Sequence, residues 1–185
     1  NSDLYNNRGT AFMKKGQYDD AISDFTEAIK IDPDYARAYC NRGTAYKEKN
    51  LYDKAISDYT EAIRANPKDA KAYNNRAVTR AVLKEYERAI SDYTKAIEID
   101  EGYLDAYNNR AIAYTKMGQY DKAISDYTQI LTIEPDYAKA YYERGTAYCS
   151  KGEFDKAWAD IKKSEGLGFK VDPEFIERLR SLSKR

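Results

Sequence analysis

The sequence predicts an all-α protein, a solenoid of stacked antiparallel helix pairs, on three observations. The first is a strict period of 34 residues along the 185-residue chain, carried by Tyr5, Tyr39, Tyr73, Tyr107 and Tyr141 and by Ala21, Ala55, Ala89, Ala123 and Ala157. A fixed period of this length marks stacked supersecondary units, each too small to bury its own apolar face. The second is helical spacing of large and tiny residues inside each unit. The third is a pair of stop signals per unit, which cuts each repeat into two helices.

Counted from Ser2, the units are 2–35, 36–69, 70–103, 104–137 and 138–171. In the first half of each, the large residues at positions four and eleven bracket a tiny one at position eight: Gly9, Gly43, Ala77, Ala111 and Gly145. These share one helical face, and the tiny residue lets a neighbouring helix approach closely. Position eleven is Phe12, Tyr46, Tyr114 and Tyr148, with Arg80 as the exception. Gly16, Gly118, Gly152 and Asn50 end the first helix, because they tolerate the left-handed cap conformation. Asp19, Asp53, Glu87, Asp121 and Asp155 mark the start of the second helix, as caps or as partners of its dipole. That helix carries Phe25, Tyr59, Tyr93, Tyr127 and Ile161, and Pro33, Pro67 and Pro135 break it. The tail, 172–185, reads as a closing helix with Asp172 as cap, Pro173 in the first turn, and Phe175, Ile176, Leu179 and Leu182 on one face. The organisation expected is one elongated domain over 1–185.

Composition narrows the function. Lysine plus arginine and aspartate plus glutamate both number 31, so no net charge draws the chain to nucleic acid or to an anionic membrane. Apolar runs are far too short for a membrane span, so membrane insertion is not expected. Cys40 and Cys149 lie three repeats apart, and at about 10 Å per helix layer they are beyond the ~7 Å reach of a disulfide. Free thiols lean towards a reducing, cytoplasmic setting. With no histidine and no Gly-rich phosphate loop, neither a catalytic thiol nor a metal or cofactor site is expected, and the chain reads as no enzyme.

With five units in register, Ser2 to Val171 resembles the tetratricopeptide repeat family. The resemblance implies a right-handed superhelix whose first helices line a concave, peptide-binding groove. The departures are arginine for the usual leucine at position seven, Glu101 for proline and Arg80 for an aromatic.

The columns then separate into scaffold and surface. Eighteen of the 19 tyrosines fall in repeat columns, and Tyr142 alone stands outside them. Trp158 replaces a column of isoleucines and reads as core against the tail helix. Arg8, Arg42, Arg76, Arg110 and Arg144 recur in step with Asp24, Asp58, Asp92, Asp126 and Asp160, which predicts a repeated ion pair whose register is left open. The implied groove holds Asn7, Asn41, Asn75 and Asn109 at position six, ending in Glu143, with Asn6, Cys40, Asn74, Asn108 and Tyr142 at position five. Asparagine is a poor mid-helix residue, and its amide offers both donors and an acceptor to the backbone of an extended peptide. The alternative is that these amides are solvated or bridge neighbouring helices. Val78, Val82 and Ile112 give the middle of the groove an apolar patch, and Lys71 and Lys139 add positive charge.

The reading is a noncatalytic scaffold that binds an extended protein or peptide segment through an asparagine ladder and a central apolar patch. The row is similar to the ladder in the superhelix of the O-linked N-acetylglucosamine transferase. Self-association through an end or the groove is the alternative from another class. A chaperone-adaptor carboxylate clamp is weaker, because only Asn41 and Lys71 match its pattern.

Overall fold

The computed structural model describes residues 1–183 and holds eleven α-helices and no strand among them. The first helices of the five repeats begin at Ser2, Ala36, Ala70, Leu104 and Ala138, in register with the sequence period. The chain divides into two compact units, Asn1–Glu101 and Gly102–Arg185.

In the first unit, α1 (Ser2–Lys14) pairs with α2 (Tyr18–Ile31), α3 (Ala36–Glu48) with α4 (Tyr52–Ala65), and α5 (Ala70–Val82) with α6 (Tyr86–Ile99). The pairs stack because α2 packs on α3 and α4 on α5. The core is the predicted one: Ala21, Ala55 and Ala89 are buried, as are Phe25, Tyr59 and Tyr93. The tiny column has a steric cause, since a Cβ on Gly9 would stand 2.7 Å from Cε1 of Phe25. In the second unit, α7 (Leu104–Lys116) pairs with α8 (Tyr120–Ile133) and α9 (Ala138–Lys151) with α10 (Phe154–Gly166). There α8 packs on α9, and α11 (Pro173–Ser183) packs on α10.

Helix boundaries follow local chemistry with three refinements. Gly16, Asn50, Gly118 and Gly152 all have positive φ, as the stop signals require, but so does Lys84 at φ 63° in the third repeat. A lysine there bears the steric penalty that glycine avoids, and the hairpin imposes it. The acids at the start of the second helices lie in the first turn and make no side-chain cap; the residues before those helices are Gln17, Leu51, Glu85, Gln119 and Glu153. Their role is therefore with the helix dipole. Finally, Asp100 ends α6 at φ −135° and ψ 95°, almost the values of Asp32 and Asn66, although Glu101 stands where they have proline. Proline suits this turn but does not create it.

The tail caps its unit much as expected. Asp172 Oδ1 accepts the Glu174 N–H at 3.0 Å, and Phe175 and Leu179 are buried. They pack with Ile161 and Cys149, while Trp158 packs alongside and donates its Nε1–H to Ser183 Oγ at 3.1 Å. Leu182, expected on the buried face, is 49% exposed. Lys184 and Arg185, the end of the predicted closing helix, lie outside the described residues.

Candidate functional site

Two rows of polar side chains run along the first helices, and their bonding differs. Each arginine of the seventh position reaches the aspartate of its own repeat, 16 residues on, through Nε and Nη2 at 2.7 to 2.9 Å. This settles the register left open by the sequence. Nη1 of Arg42, Arg76 and Arg144 then donates to Thr26, Thr60 and Thr128 of the preceding repeat at 3.0 to 3.1 Å. Tyrosine rings of positions four and eleven lie 5.4 to 6.0 Å from the guanidinium carbons. The hydrogen bond it donates to Asp58 raises the Arg42 guanidinium above its ordinary pKa, against the opposing effect of burial. In the third repeat Arg80, taking an aromatic's place, also donates to Asp92 Oδ2 at 2.7 Å. Burial lowers its pKa, Asp92 opposes this and Arg76 adds to it.

The asparagine row is only partly engaged. Asn41 Nδ2 donates to Asn6 Oδ1 at 2.9 Å, and Asn75 Nδ2 reaches Cys40 Sγ at 3.8 Å. At these two places position six therefore bridges back to position five on the first helix of the preceding repeat. Asn6 is buried, 2% exposed, so its amide positions Asn41; Asn74 is buried as well. Asn41 and Asn75 each keep one N–H and an acceptor oxygen, and Asn7 on α1 is exposed.

Asn41, Asn75 and Lys71 converge on one pocket of the first unit, about 530 Å³ in volume, between α3 and α5. Its wall also holds Arg37, Cys40 and Thr44. Burial, with Asp69 nearby, pushes the Cys40 thiol up to about 11, so it stays protonated and is a poor nucleophile near neutral pH. Cys149 is a free thiol too, buried under the terminal helix. On the same unit Val78 is half-buried and Val82 is 52% exposed at the end of α5.

The second unit offers a different surface. Asn108 and Asn109 are half-buried on α7, and Ile112 on that helix is 38% exposed. On α9, Lys139 is exposed and Glu143 half-buried; burial raises the Glu143 carboxyl above its ordinary pKa, against the pull of Lys139. Tyr142, expected on the groove face, stacks its ring on Phe169 at 4.9 Å and meets Phe175 edge-on at 5.6 Å. Its ring thus belongs to the terminal aromatic cluster, because Phe169 and, on α11, Phe175 cover this face of α9. No cluster of three or more His, Cys, Asp or Glu able to hold a metal occurs among the described residues. No helix among them is long and apolar enough to cross a membrane.

Comparison with known families agrees with this architecture. The family model described as "Tetratricopeptide repeat" matches residues 36–69, 70–103 and 104–137, and a second of that description matches 126–159. A further one, "TPR repeat", matches 9–50. The chain belongs to the tetratricopeptide repeat family. Among solved structures of the tetratricopeptide fold, one of MamA is 30% identical, with a TM-score of 0.81 over 86% of this chain and 93% of that one. MamA from Desulfovibrio magneticus RS-1 is 17% identical, with a TM-score of 0.82 over 90% and 94%. YrrB, described as a TPR protein with an unusual peptide-binding site, is 22% identical, with a TM-score of 0.77 over 89% and 84%. At these last two identities the likeness is one of fold. No curated protein matches the chain.

Tetratricopeptide membership supports a protein–protein interaction scaffold. Within that frame, Cys40 stands at position five of the implied groove and Thr44 shares its column with Val78 and Ile112, whereas helical periodicity alone did not single out Arg37. Arg37 shares its column with Lys71, so the second position of the repeat carried the available signal.

Proposed function

We propose that this tetratricopeptide protein is a noncatalytic scaffold that binds an extended segment of a partner protein along its first helices, with the pocket between α3 and α5 as the principal contact. The observation that carries this reading is the convergence of Asn41, Asn75 and Lys71 on one open pocket, with amide groups still unspent. Such amides match the alternating carbonyls and N–H groups of an extended backbone. Exposed Val82 beside half-buried Val78, and Ile112 on the second unit, are candidates for apolar side-chain contacts. Lys139, Glu143, Asn108 and Asn109 are candidates for polar ones.

A pull-down with the whole chain tests the reading, using wild type beside Asn75→Ala and Asn41/Asn75/Asn109→Ala. Asn75→Ala is the cleaner variant, because Asn41 also satisfies the buried Asn6. Loss of extended-segment capture by folded Asn75→Ala supports the groove; equal capture by all three proteins sinks it.

A second reading, self-association, is favoured by one feature. On α1, Leu4 is 68% exposed beside Tyr5 and Arg8, around a cavity of about 450 Å³. Sedimentation over a wide concentration range checks it, and a constant monomer mass excludes it. We also propose that 1–185 acts as one domain, for which a single cooperative unfolding transition is the expected signature.

A further inference from the structure

Resting on the peptide-binding reading above, we propose that the pocket between α3 and α5 receives the side-chain carboxylate of an aspartate or glutamate carried inside the bound segment. Arg37 on α3 and Lys71 on α5 are both exposed on its wall, and no ion pair among the described residues engages either of them. Elsewhere in this unit the arginines are consumed: Arg42 by Asp58, Arg76 and Arg80 by Asp92, and Arg64 by Glu61 and Asp34.

The acid in the pocket wall is already committed. Asp69 Oδ1 accepts the N–H groups of Lys71 and Ala72 at 3.0 and 3.2 Å, capping α5, where the helix end holds its charge. The neighbouring acid on α1, Asp3, accepts the Tyr35 hydroxyl at 2.6 Å. A chain of zero net charge thus has a pocket with two uncommitted cations. Asn41 and Asn75 each add a remaining N–H beside them. A carboxylate offers about four lone-pair sites, which suits a guanidinium fork, an ammonium and an amide together.

A side chain, rather than a chain end, is the source that the surroundings favour. Exposed Asn7 on α1 continues the amide row beyond the pocket, so a segment paired with that row runs on past the two cations. Among the described residues the pocket wall holds no third cation; on α1, Asn6 is buried against Asn41, and Thr10 donates its hydroxyl to the Asn6 carbonyl at 2.8 Å.

The test is an array of random 12-residue peptides tethered by their C-termini, and so without a free α-carboxylate, probed with the whole chain. Wild type should capture peptides enriched about tenfold in Asp or Glu, the size of one charge-assisted contact. Folded Arg37→Gln/Lys71→Gln should lose that enrichment while still capturing peptides without an acid, and added salt should weaken only the acidic set. Capture without acid enrichment, or enrichment that survives the double substitution, overturns this inference and leaves the peptide-binding reading standing. In a second array tethered by the N-termini, acid-free peptides bound through their free C-terminus with the same Arg37 and Lys71 dependence overturn the side-chain assignment. No capture by wild type overturns both.

Discussion

The arginine row and the asparagine row occupy adjacent positions of the same helices, yet one is locked into the fold by two-point ion pairs and the other is held by single bonds. In all five repeats the arginine spends Nε and Nη2 on the aspartate of its own hairpin. Asn41 and Asn75 spend a single hydrogen each on the helix behind them. Equal periodicity therefore conceals unequal roles. A repeated group fixed by a two-point charged bond inside the fold holds the hairpins together, whereas one held by a single bond can hold something else.

Breaking the arginine row should have the largest effect. Arg42→Ala leaves the Asp58 side chain, 8% exposed, without its partner, and should cost about 3–5 kcal/mol in urea denaturation. Arg76→Ala should cost less, because Arg80 still donates to Asp92. Equal losses would show that Arg80 does not share the load.

The asparagine row should respond unevenly as well. Asn41→Ala removes the donor to the buried Asn6 oxygen, at a cost of about 1–3 kcal/mol. Asn75→Ala loses only a long contact to sulfur, a weak acceptor, so its cost should be smaller. Should the two melt alike, the distinction between a pinned and a loosely held amide fails.

How much of this was legible in the sequence depends on the distance over which each feature is decided. Helix starts followed from the period, and the pairing of the Arg and Asp columns followed from their common step. Whether Arg42 reaches Asp58 or another aspartate did not, because helical periodicity sets the face of each helix but not the offset within a hairpin. The same limit hid Asn6: on a helical wheel, position five looks like groove, and only the packing of α3 shows it to be buried. Tyr142 looked like groove for that reason, until α11 and Phe169 closed over it. Lys84 was missed because its positive φ is imposed by the hairpin, in the one stop position that lacks glycine or asparagine.

The smallest predicted effect concerns Glu143, which stands where the other four repeats carry asparagine. Burial raises its pKa in the fold, so the folded protein holds this proton more tightly than the unfolded chain does. Stability contributed here is present at low pH and falls as pH rises from the ordinary carboxylate value through the raised one. Glu143→Gln should remove that decline and slightly raise the melting temperature near neutral pH. Melting curves that keep the same pH slope in the variant would contradict this.

The contrast between the rows is tested most directly by 15N NMR of the whole chain, titrated with a peptide captured on the array. The account predicts that the side-chain amide pair of Asn75 shifts, with that of Asn41 alongside it, while the Nε–H signals of Arg42 and Arg76 stay in place. Movement of the arginine signals with the Asn75 amide unchanged would contradict it.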